Sequence, residues 1–174
     1  HSFPTRRSSD CALRLVADVD PADRFETPLP VYSLPAAAGY FGEGHDVEVE
    51  GWAEVPVDVV RIDDSMFVSQ VVGRSMEPLI PDSSYCVFRR IRAGSRQGKV
   101  VLAQHHSIDD VETGGSYTVK RYESRKEESD GELVGSIKLC PVNPEFEPIV
   151  LDPGDDAEVQ VIAELVTVLG EPGA

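Results

Sequence analysis

Two residues far apart in this chain have the types and settings for acyl-transfer chemistry. Ser75 lies in Val71-Val72-Gly73-Arg74-Ser75-Met76-Glu77-Pro78, where an apolar run ends in a glycine and a proline follows. A serine held in a tight turn at a strand end can project its hydroxyl out of a sheet. The backbone N–H groups beside it can then face a developing oxyanion. A serine that merely caps a turn or short helix is the commoner use of such a position, and on local chemistry alone it is favoured. A hydroxyl also needs a base. Of the four histidines, His1, His45, His105 and His106, none stands where one would serve. A lysine serves only when neutral. Its ordinary pKa of ~10.4 must then fall by roughly three, mainly through burial, at a cost of about 4 kcal/mol. Lys120, in Ser116-Tyr117-Thr118-Val119-Lys120-Arg121-Tyr122, fits best. Strand alternation puts Thr118, Lys120 and Tyr122 on one face and Tyr117 with Val119 on the other, so Thr118 could orient the amine. Spacing alone favours the plainer alternative, an exposed lysine on an edge strand.

Other chemistries are poorly supported. Gly94-Ser95-Arg96-Gln97-Gly98-Lys99 is one residue short of a phosphate loop, and Val100 replaces the residue that would hold magnesium. It reads as a turn. The histidines show no metal-ligand spacing, and His105-His106 reads as a polar loop; no metal or other cofactor is expected. Ser75-Met76-Glu77-Pro78 lacks the lysine of an S-x-x-K enzyme. Cys11, Cys86 and Cys140 form no C-x-x-C pair. The last two sit in apolar runs as small buried hydrophobes, which fits a reducing compartment.

The elements that must position Ser75 and Lys120 are strands. Segments 51–57, 66–72, 85–89, 100–104, 117–122, 132–139 and 158–169 are rich in Val, Ile, Tyr and Phe. Pro81-Asp82, Ala93-Gly94, Gly114-Gly115, Asp130-Gly131 and Pro153-Gly154 separate them as turns. A mostly β, compact and twisted antiparallel arrangement or partial barrel follows, with at most short helical turns, one of them over 57–64. The charged run 121–131 reads as an exposed hairpin tip. Residues 11–19 could end a helix, which Pro21, Pro28 and Pro30 would stop. Segment 31–50, with Ala36-Ala37-Ala38-Gly39 and further glycines, reads as flexible or extended.

Residues 1–10 lack periodicity and an initiator Met, and read as a non-native leader. The natural protein is then expected to continue upstream. Residues 11–30 form a linker or arm, 51–170 the main domain, and 171–174 a tail. The 174 residues carry a net charge of −15, from 31 acidic and 16 basic side chains. Such a surface repels a phosphate backbone, so direct nucleic-acid binding is not expected. No apolar run approaches the ~20 residues of a membrane span, and no signal peptide is evident, which points to the cytoplasm and away from a membrane.

Several of these segments together resemble the self-cleaving LexA and UmuD peptidase family, relatives of the signal peptidases. Val72-Gly73-Arg74-Ser75-Met76-Glu77-Pro78 resembles the nucleophile motif, and Ile80-Pro81-Asp82-Ser83 the turn after it, although Gly is usual where Ser83 stands. Gly98-Lys99-Val100-Val101-Leu102-Ala103 resembles the next strand, and Tyr117-Thr118-Val119-Lys120-Arg121-Tyr122 the strand of the catalytic lysine. Residues 139–149 resemble the segment beyond. The resemblance spans residues 31–170. It implies a Ser75–Lys120 dyad, with Thr118 and Met76 in support and the backbone amides of Arg74 and Ser75 as oxyanion donors. It also implies self-cleavage at Ala38-Gly39, a homodimer, and the RecA filament as partner in the response to DNA damage. The gap from Ser75 to Lys120 is longer than in the family, and the acidic loop Asp109 to Gly115 could absorb the excess. A LexA-like repressor fragment, a UmuD-like polymerase accessory protein and a non-catalytic dimerisation module are the readings it leaves open.

Overall fold

A computed structural model describes residues 13–43, 46–56, 60–91, 93–113, 115–151 and 159–170. The expected leader, Cys11, His45 and the Pro153-Gly154 turn lie outside these residues. Ten strands form one open sheet: β1 (Arg14–Val16), β2 (Pro28–Val31), β3 (Gly51–Glu54), β4 (Met66–Val71), β5 (Ser84–Arg90), β6 (Val100–Gln104), β7 (Tyr117–Ser129), β8 (Glu132–Cys140), β9 (Ile149–Leu151) and β10 (Gln160–Gly170). Their order is β1-β3-β2-β4-β5-β10-β6-β7-β8-β9. Every pairing is antiparallel except β2 with β4, which meet in parallel at Val31 and Val68. The mostly β, largely antiparallel expectation holds.

The strands expected between 51 and 170 are present with shifted ends. β7 runs on through the charged stretch to Ser129, because β8 pairs with it from Arg121 to Ser129. Asp130 (φ 53°) and Gly131 (φ 81°) close that hairpin in the left-handed region, as an Asp-Gly two-residue turn does. The expected exposed tip is therefore two strands and a tight turn.

Three expectations fail. Arg14–Val16 is a strand on β3, not a helix end. Pro28–Val31 is a strand despite its prolines, which its place beside β3 and its single bridge to β4 accommodate. Segment 31–50 is neither flexible nor extended at its centre: Leu34–Ala37 form a helical turn, α1, and residues 38–43 continue it as a π-helical turn. Ser33 caps α1 by accepting the Ala36 amide at 3.2 Å, and Pro35 sits in the first turn, where its missing N–H costs nothing. Of the helical turn expected over 57–64, residues 57–59 lie outside the described part and 60–63 are not helical.

Apolar faces bury three clusters. The first holds Tyr32, Leu34, Ala37 and Ala38 against Phe67, Met76 and Phe88. Phe41 stacks on Phe67 with centroids 4.8 Å apart, and Phe67 stacks on Phe88 at 5.6 Å. Cys86 and Cys140 are free and buried, as expected of small hydrophobes. Burial pushes the Cys86 thiol up to about 12. No described helix is long and apolar enough to cross a membrane.

Candidate active site

β4 ends at Val71, and the chain turns at Gly73 (φ 114°), a conformation only glycine adopts easily. The turn is clamped from several directions. The Gly73 amide donates to Asp82 Oδ1 at 2.7 Å. Asn143 Nδ2 donates to the Arg74 carbonyl at 3.0 Å. The amides of Val142 and Asn143 both donate to the Ser75 carbonyl at 3.0 Å. Ser75 and Met76 are thereby held almost wholly buried, 6% and 2% exposed.

Lys120 sits on β7, an interior strand in the order β6-β7-β8; it pairs with Val101 of β6, one residue before the pairing with β8 begins at Arg121. It is 5% exposed, against the solvent-facing placement that spacing alone favoured. Fully buried Val101 lies directly opposite it on β6. Lys120 Nζ donates to Thr118 Oγ1 at 2.8 Å, to the Val119 carbonyl at 3.2 Å and to Asp110 Oδ2 at 3.3 Å. Three acceptors thus surround the amine. Thr118 in turn donates to Asp110 Oδ2. Burial alone would raise the Asp110 carboxyl. The Thr118 hydroxyl, the Lys120 charge and the Glu112 amide outweigh it and hold that carboxyl below its ordinary value.

Ser75 and Lys120 line one narrow cleft, with Leu34, Val71, Asp110 and Glu112 around them. A wider groove of about 320 Å³ adjoins it, sharing Leu34, Val72, Glu112 and Thr113. The amides of Arg74 and Ser75 point to a common acceptor, the Glu112 carboxylate, at 2.6 and 3.2 Å. The Arg74 amide bonds Oε2 and the Ser75 amide Oε1, so two successive donors face the two oxygens of one carboxylate.

The model of the family described as Peptidase S24-like matches residues 30–166, which include this whole cleft. The chain belongs to the Peptidase S24-like family. The family is one of serine peptidases and includes the LexA and UmuD type. No curated protein matches the chain. In this S24-like chain the residues expected from the sequence separate into two groups. Ser75, Lys120, Thr118 and the Arg74 and Ser75 amides come together. Ala38 and Gly39 do not line the cleft; Ala38 is 2% exposed in the core cluster, within the helical segment.

Sequence reasoning missed Asp110, Glu112 and Asn143. Asn143 lay inside a recognised stretch, and an Asn between two prolines was its signal. Asp110 and Glu112 lay in a loop read only as extra length, and nothing local marks them as partners of Lys120 and the Ser75 turn. Among the described residues no cluster could hold a metal ion.

Proposed function

We propose that this chain is a serine–lysine endopeptidase that cleaves its own backbone between Ala38 and Gly39. The observation that carries the reading is that buried Ser75 and buried Lys120 line one cleft, beside two successive amides that both face the Glu112 carboxylate. Neutral Lys120 takes the Ser75 hydroxyl proton as Oγ attacks the Ala38 carbonyl carbon. The Arg74 and Ser75 amides stabilise the oxyanion. The tetrahedral species collapses, Lys120 returns the proton to the Gly39 nitrogen, and the amine leaves an ester on Ser75. Lys120 then deprotonates water, which releases the Ala38 carboxylate and restores Ser75.

The substrate is tethered, so attack is intramolecular once the segment is in place. An attacked bond must lie extended against the site, whereas residues 34–43 are helical. The described conformation is thus a resting state, and the cleavage rate follows the population of an unwound one. In the wider reading the chain is the peptidase part of a LexA-like repressor in the DNA-damage response. It dimerises and is activated by the RecA filament in the cytoplasm.

A second reading is a binding module that keeps the fold without cleaving. The three acceptors on Lys120 and the carboxylate on the Arg74 and Ser75 amides favour it. Mass spectrometry after incubation at pH ~10, where a free lysine is often neutral, separates the two. A break between Ala38 and Gly39 in the wild type, absent from Ser75→Ala and Lys120→Ala, establishes the dyad. An intact wild-type chain, still intact with activated RecA, leaves the binding module.

A further inference from the structure

We propose that the described residues 105–113 between β6 and β7 are a built-in inhibitor of the Ser75–Lys120 site, with Glu112 filling the oxyanion position and Asp110 engaging the lysine amine. The inference rests on the peptidase reading above. It starts from two carboxylates, two residues apart, that lie on the two halves of the catalytic apparatus. Glu112 Oε2 accepts the Arg74 amide at 2.6 Å and Oε1 accepts the Ser75 amide at 3.2 Å. Asp110 Oδ2 accepts from Lys120 Nζ at 3.3 Å. The Glu112 amide donates to Asp110 Oδ1 at 2.9 Å, so the two carboxylates are fixed relative to one another.

The loop is constructed to stay there. Ile108 anchors one limb in the third core cluster, 3% exposed. The Asp110 amide donates to the Gly115 carbonyl at 3.3 Å. Thr113 Oγ1 donates to the Tyr117 carbonyl at 2.8 Å and ties the other limb to β7. The receiving surface is shaped for Glu112 as well. A Cβ at position 73 would come within 2.5 Å of Glu112 Oε2 and 2.6 Å of its Cδ. Gly73 therefore admits the carboxylate in addition to making the turn.

The consequence is competition. A substrate carbonyl cannot accept the Arg74 and Ser75 amides while a carboxylate holds them. A fixed anion at that point also opposes the negative charge that must develop there. Two separate events then precede cleavage: withdrawal of the acidic loop and unwinding of residues 34–43. A small reagent that acylates or phosphonylates serine needs only the first.

The test uses the full chain and a small alkyl fluorophosphonate, with Ser75 labelling timed by intact mass. Amide hydrogen exchange at Arg74 and Ser75 is measured alongside. Glu112→Ala should label at least about tenfold faster than wild type, in line with freeing one charged contact at the donors. The Arg74 and Ser75 amides should exchange faster while those of β4 and β5 do not. Glu112→Gln keeps the side-chain shape and should show a smaller gain, which covers the case that the alanine variant folds poorly. Equal labelling rates in wild type and both variants, with Ser75→Ala unlabelled, overturn the inhibitor and leave the dyad standing. Absence of Ser75 labelling in every variant overturns both.

Discussion

The turn that carries Ser75 and the segment that carries Ala38-Gly39 are both short, and both contain small residues and glycine, yet they are held in opposite ways. The Ser75 turn is gripped by Asp82, Val142 and Asn143, groups distant in sequence. Residues 34–43 rely on local bonds: the Ser33 cap, the Ala37 amide to the Ser33 carbonyl, and the helix itself. Their long-range hold is side-chain packing without directional bonds: Leu34, Ala37 and Ala38 lie in the first core cluster, and Phe41 stacks on Phe67. A site that must be ready needs non-local restraint. On the proposed self-cleavage, residues 34–43 must change shape, which suits a segment from the low-stability end of the structure.

The largest effect should come from Lys120. Lys120→Ala leaves Asp110 buried without its cation, so equilibrium unfolding should show a loss of about 3 kcal/mol. Adding Asp110→Asn should recover part of it. The linkage has a definite sign. The Asp110 carboxyl is held below its ordinary 3.8, so its stabilisation is complete above that value and is lost as pH falls through the lower folded one. The stability gap between wild type and Asp110→Asn should therefore close in acid. A gap that persists unchanged at pH 2 would refute this account of the pair.

Asn143→Ala removes the side-chain donor to the Arg74 carbonyl, and a loss of ~1–2 kcal/mol is expected for that part-buried bond. The sharper readout is Ser75 labelling, which should slow while exchange over residues 34–43 stays as in wild type. Ser33→Ala should do the reverse. Loss of the cap costs ~1 kcal/mol locally, so residues 34–43 should exchange faster and self-cleavage should accelerate, with labelling of Ser75 unaffected. If either variant altered both regions equally, the contrast between them would fail.

A separate effect concerns alkaline conditions, in which a self-cleavage assay would be run. Cys86 is neutral in the fold up to about 12, against an ordinary 9.0, because it is buried. Folding stability is then intact below pH 9 and lost as pH rises toward 12, by about 1 kcal/mol per pH unit. Cys86→Ala should be less stable at neutral pH but flatter above pH 9, as thermal melts across that range would show.

The strands and turns were legible in the sequence because their causes are local. The apolar, Val-containing runs 66–71 and 100–104, and Asp130-Gly131 at a hairpin, each favour a conformation through residues in reach of one another. Ser75 and Lys120 were legible for another reason, since several motifs in fixed order point to one family. The short strand Pro28–Val31 was not legible, because its only justification is β3 and β4 on either side. Nor was α1: a run of alanines and glycine suits a linker until Phe41 finds Phe67.

The sequence by itself thus determined a mostly β chain of the S24-like kind with a serine and a lysine at matching places. Only the tertiary structure decided that Lys120 is buried on an interior strand, that Ala38 is buried in a helical segment and does not line the cleft, and that Asp110 and Glu112 lie on the lysine and on the Arg74 and Ser75 amides. Periodicity and turn chemistry act over a few residues, so sequence carries them. The reach of a carboxylate to an amide 37 or 38 positions away depends on how separate strands bring loops together and exclude water between them.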